Sequence, residues 1–169
     1  MKRIILITGG ERSGKSSYAE SLALSLSDAP VYVATARIWD DEFARRVERH
    51  RLSRGEKWQT LEEEKNLSRL NIAGRVAVID CVTLWCTNFF FDTQSDVDSS
   101  LEKLKKEFDA FTAQESTFIF VTNEIGMGGV SPDPLQRKFT DLQGWVNQYI
   151  ASRADEVILM VSGIPVKVK

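Results

Sequence analysis

Ile4-Ile5-Leu6-Ile7-Thr8-Gly9-Gly10-Glu11-Arg12-Ser13-Gly14-Lys15-Ser16-Ser17-Tyr18-Ala19-Glu20 is the stretch on which the fold turns. An aliphatic run feeds directly into the pattern G-x-x-x-x-G-K-[ST] at Gly9–Ser16, and a helical pattern begins at once behind it. Strand, glycine-rich turn and helix in that order are the setting in which this pattern makes a phosphate-binding loop. Its glycines let main-chain N–H groups converge on phosphate oxygens, and the helix N-terminus adds partial positive charge. Lys15 is placed to neutralise the β- and γ-phosphates, and Ser16 to ligate Mg²⁺. The whole loop (Gly9, Gly10, Glu11, Arg12, Ser13, Gly14, Lys15, Ser16) is therefore read as the seat of a nucleoside triphosphate. The dinucleotide fingerprint G-x-G-x-x-G does not fit, because Glu11 stands where its second glycine belongs.

Outward from this loop the chain alternates. Apolar runs rich in Val and Ile at 3–8, 31–35, 75–81, 117–122 and 156–162 are predicted strands buried on both faces. Helical patterns at 13–26, 40–54, 83–91, 96–114 and 134–151 lie between them, and Leu101, Leu104, Phe108 and Phe111 make one stripe. Such alternation predicts an α/β fold, an open and mainly parallel sheet flanked by helices, in a single domain over residues 1–169. Ligands of such sheets bind outside the carboxyl ends of the strands, so the residues that follow each strand carry the chemistry.

Composition narrows the function classes. Lys and Arg number 22 against 24 Asp and Glu, a net charge of −2, which argues against a nucleic-acid partner held by counterion release. No run reaches the ~18 apolar residues of a membrane span, and the run after Lys2 and Arg3 is too short for a secretory signal. Two cysteines, Cys81 and Cys86, make neither a disulfide framework nor a zinc site, and fit a reducing cytoplasm.

Three further features bear on chemistry. Asp80 ends the 75–81 run as the acid of a Walker-B strand does, positioned to hold Mg²⁺ with Ser16, although Asp is also a common turn former. Glu124 follows the 117–122 run in the same way, and Gly126, Gly128 and Gly129 read either as a plain turn or as a substrate or phosphate loop facing Lys15. The single histidine, His50, shares a helical face with Phe43 and Val47, which reads as a core histidine. It also shares the i, i+4, i+8 series Arg46, His50, Arg54, which reads as a nucleophile among guanidiniums able to attack an α-phosphate. The N-K-x-D motif of signalling GTPases is absent, and Asp141-Leu142-Gln143-Gly144 sits in a helical pattern.

Thr8–Ser16, Ala34-Thr35-Ala36, Asp40-Asp41-Glu42, His50-Arg51, Trp58, Asp80–Trp85, Thr122–Gly128 and Val161–Pro165 together resemble the bifunctional adenosylcobinamide kinase/adenosylcobinamide-phosphate guanylyltransferase family, from Ile4 to Lys169. The resemblance implies phosphorylation of the aminopropanol hydroxyl of adenosylcobinamide with ATP or GTP. It then implies transfer of GMP from GTP through a guanylylated histidine, releasing pyrophosphate. On it, His50 is the nucleophile, Ala34, Thr35 and Ala36 with Arg51, Leu52, Ser53 and Arg54 are nucleotide contacts, and Glu62 and Asp80 are further nucleotide-binding acids. It also implies a RecA-like P-loop NTPase fold, a corrinoid substrate and a homotrimer. Two departures stand out. Arg49 precedes His50 where some relatives carry a second histidine, and Gly129 and Ser131 replace an expected larger apolar residue and a proline. Rival readings are a P-loop small-molecule kinase, which gives His50 no task, and a non-catalytic nucleotide-binding module.

Overall fold

The computed structural model describes residues 1–169. In chain order its elements are β1 (Arg3–Gly9), α1 (Lys15–Leu26), β2 (Val31–Ala34), α2 (Asp41–Arg54), β3 (Gln59–Glu62), β4 (Val76–Asp80), α3 (Val82–Asp92), α4 (Val97–Phe111), β5 (Thr117–Val121), α5 (Pro134–Arg153), β6 (Glu156–Val161) and β7 (Ile164–Lys167). One sheet takes all seven strands in the order β3-β2-β4-β5-β1-β6-β7. Every neighbouring pair is parallel except β6 with β7.

The aliphatic run of β1 follows from its central place. Ile4 and Leu6 pack on one face and Ile5 and Ile7 on the other, all at most 3% exposed. Helices α3, α4 and α5 cover the first face, where Phe108 and Phe111 of α4 meet Phe120 and Phe118 of β5 with ring centroids 5.2 Å apart in each pair. Helix α1 covers the second face through Ala19 and Ala23, beside Tyr32 and Val78.

The five apolar runs are all strands, and the five helical patterns are all helices. Two strands went unread for physical reasons. β3 is an edge strand of mixed polarity, Gln59-Thr60-Leu61-Glu62, with none of its residues buried. β7 returns antiparallel from β6 through Ser162 and Gly163, both at positive φ (51° and 82°), as a two-residue type I′ connection demands. The Ser-Gly dipeptide between two apolar runs is the signal that marks this hairpin. No helix is long and apolar enough to cross a membrane.

Candidate functional site

The loop between β1 and α1 is shaped from both sides. Gly14 precedes α1 in a left-handed conformation (φ 90°) and supplies no side-chain cap, so the first-turn N–H groups of α1 stay open to an anion. A Cβ on Gly9 would lie 2.7 Å from Ser13 Oγ and 2.8 Å from the Met160 carbonyl oxygen, so only glycine fits there. The β6–β7 turn presses on the same loop, with the Gly163 N–H donating to the Ser13 carbonyl at 2.9 Å. Lys15 is buried, and its Nζ donates to the Gly10 carbonyl at 2.5 Å. Burial pulls its pKa below the ordinary lysine value, against the opposing charges of Asp80, Cys81 and Glu11.

Across from Lys15, Asp80 ends β4 as predicted. Its Oδ2 accepts from Ser16 Oγ at 2.7 Å and from Tyr32 Oη at 2.9 Å. No group of three or more His, Cys, Asp or Glu side chains forms a metal cage anywhere in the molecule. Mg²⁺ is commonly held by one or two protein oxygens, with water and substrate phosphates completing its shell. The oxygen-only pair Ser16 and Asp80 fits that ion.

Beside this pair stands an aromatic seat. The Arg54 guanidinium lies 3.6 Å above the centroid of the Tyr32 ring, and its Nε is buried without a hydrogen-bond partner. Burial raises the Glu20 pKa, with Arg54 opposing. Thr35 is fully buried and structural, its Oγ1 donating to the Cys81 carbonyl at 2.8 Å and accepting from the Cys81 N–H at 2.9 Å.

Helix α2 carries His50. Asp40 caps it by accepting from the Phe43 N–H at 2.7 Å, and Asp41 and Glu42 in its first turn with Arg51 and Arg54 in its last complement its dipole. None of its residues is buried, so the reading of His50 as a core histidine fails: the imidazole is exposed. Phe43, Arg46, Val47, His50 and Arg54 line one side of a cavity of about 570 Å³. Its other walls are Glu11–Ser17, Glu20, Tyr32, Ala34, Ala36, Asp80, Leu84 and Asn123. The arginine series and the apolar pair thus both face the phosphate loop. A second recess of about 550 Å³ shares Arg12, Phe43, Arg46 and His50 and adds Asp40, Glu42 and Arg49.

The cavity therefore gathers Glu11, Arg12, Ser13, Gly14, Lys15, Ser16, Ala34, Ala36, His50, Arg54 and Asp80 from the expected set. Gly9, Gly10, Thr35, Arg51, Leu52, Ser53 and Glu62 do not line it. Arg51 pairs instead with Glu48 at 3.1 Å, and Leu52 is 71% exposed. In the second glycine loop, Glu124 Oε1 accepts from the Gly126 N–H at 2.9 Å, closing its own turn, and only Asn123 reaches the cavity. Tyr32, Glu20 and Leu84 escaped the sequence reading because in a strand or helix pattern they read as packing or surface.

The family model described as "Cobinamide kinase / cobinamide phosphate guanyltransferase" (CobU) matches residues 5–168. The Escherichia coli K12 "Bifunctional adenosylcobalamin biosynthesis protein CobU" is 41% identical, over 98% of this chain and 99% of that protein. The Pseudomonas aeruginosa "Bifunctional adenosylcobalamin biosynthesis protein CobP" is 39% identical, over 97% and 96%. Among solved structures, a type III secretion system ATPase superposes with TM-score 0.60 at 14% identity, over 94% of this chain and 51% of that one, a likeness of fold alone.

Proposed function

The chain belongs to the cobinamide kinase/cobinamide phosphate guanyltransferase family, and from that membership we propose that it is a bifunctional enzyme of cobalamin biosynthesis. In the first reaction the aminopropanol hydroxyl oxygen of adenosylcobinamide attacks the γ-phosphorus of ATP or GTP. The bond to the β–γ bridging oxygen breaks, and the nucleoside diphosphate leaves. Lys15 and the open N-terminus of α1 meet the charge on the triphosphate, and the Ser16–Asp80 pair would hold Mg²⁺, which neutralises phosphate charge when bound.

In the second reaction an imidazole nitrogen of His50 attacks the α-phosphorus of GTP and pyrophosphate departs. A phosphate oxygen of adenosylcobinamide phosphate then attacks the same phosphorus, the N–P bond breaks, and adenosylcobinamide-GDP is formed. Splitting the transfer replaces one difficult displacement with two in-line ones. The observation that carries this reading is the shared cavity, in which His50, Arg46 and Arg54 stand opposite Lys15, Ser16 and Asp80. One domain over residues 1–169 carries both reactions, as a homotrimer in the cytoplasm.

Incubation with GTP labelled at the α-phosphate tests the mechanism. The expected product is an acid-labile, base-stable protein label that disappears in His50→Ala. A protein that phosphorylates adenosylcobinamide yet never takes up label would be a kinase only.

A further inference from the structure

We propose that Tyr32 is a positioning residue for both transfers: its hydroxyl fixes the Asp80 carboxylate beside Ser16, and its ring seats Arg54 so that His50 faces the cavity. The proposal rests on the reading of Ser16, Asp80 and His50 given above. Tyr32 sits mid-strand in β2 at 9% exposure, where packing alone would be served by phenylalanine. A buried phenol needs a partner, and this one donates to a carboxylate on the neighbouring strand. Tyr32 and Ser16 both donate to Oδ2, so the carboxylate is held from two sides while Oδ1 receives neither bond.

The ring does the second task. Helix α2 buries none of its residues, so it has little packing to fix its placement. Arg54, its last residue, sits with its guanidinium carbon 3.6 Å from the Tyr32 ring centroid, and Trp58 meets the same ring edge-on with centroids 6.0 Å apart. His50 lies four residues before Arg54 and so on the same helical face. A stack that fixes Arg54 therefore fixes which way His50 looks.

Tyr32→Phe separates the two tasks, because it removes the hydroxyl and keeps the ring. With Mn²⁺ as the probe, paramagnetic resonance of the protein–GTP complex should show roughly tenfold weaker metal binding, as expected for loss of a hydrogen bond to a charged group. The same substitution should change nothing further in an Asp80→Asn background. At saturating metal, α-label on His50 should survive in Tyr32→Phe and fall at least tenfold in Tyr32→Leu. Unchanged Mn²⁺ affinity in Tyr32→Phe, or an equal loss with Asp80→Asn already present, overturns the proposal. Full labelling of Tyr32→Leu also overturns it. If Tyr32→Leu does not fold, the Mn²⁺ cycle with Tyr32→Phe still decides. Absence of label from the unmodified protein would overturn the two-step mechanism instead, and the metal measurement would be unaffected.

Discussion

Lys15, the residue proposed to meet the triphosphate charge, is costly to the fold. Its ammonium is buried with a carbonyl as its close partner, and burial depresses its pKa. A depressed lysine pKa means that the folded state disfavours the charge, so at neutral pH the native protein carries a penalty that a neutral side chain lacks. Lys15→Ala is therefore expected to melt no lower than the parent by calorimetry, while phosphoryl transfer to adenosylcobinamide falls at least a hundredfold. Transfer near the parental rate would contradict the phosphate-loop assignment. At this scale the sequence was informative wherever chemistry demanded an odd residue: two glycines, a lysine and a serine at fixed spacing, or one histidine among arginines. It was silent on Tyr32, since a tyrosine in an apolar run looks like core until its hydroxyl is seen to meet Asp80.

Between elements, the connection from β2 to α2 is tethered by charge rather than by packing. Arg37 donates through Nε to Glu64 at 2.7 Å and through both terminal nitrogens to Asp92 at 2.9 and 3.1 Å, and Lys65 reaches Asp92 at 2.7 Å. Arg37 first, then Lys65, holds the Asp92 carboxyl well below the usual carboxylate range. A carboxyl whose folded pKa is depressed stabilises above its unfolded value and loses that contribution as pH falls through the folded one. The site is partly exposed, so the pairs together are worth about 1 kcal/mol, a few degrees of melting temperature. Asp92→Asn should melt a few degrees lower than the parent above about pH 5, with the gap closing as pH drops below about 4. A gap independent of pH would remove the charge-based account. None of this tether was legible beforehand, because its four residues come from three separate segments and share no spacing.

Across the whole molecule, alternation of apolar runs and helical stripes made the architecture readable, since strands buried on both faces must be apolar throughout. What escaped was peripheral: β3 lacks an apolar run because it is an edge strand, and β7 was hidden in the tail of β6. Yet β7 bears on the centre. Its turn donates from Gly163 to Ser13, and a Cβ on Gly14 would stand 3.2 Å from Gly163 Cα. Gly163→Ala forces an L-residue into positive φ (82°) at this contact, at a cost of about 1–2 kcal/mol. GTP affinity by titration calorimetry should drop severalfold, and affinity equal to the parent would show the turn to be a bystander.

That contact joins residues far apart in sequence, and translation is directional. Ser13 leaves the ribosome long before Gly163 exists to brace it, so a nascent chain lacking the final hairpin has the β1–α1 loop without this support. The brace that the Gly163 N–H gives this loop is thereby postponed until synthesis has passed β6.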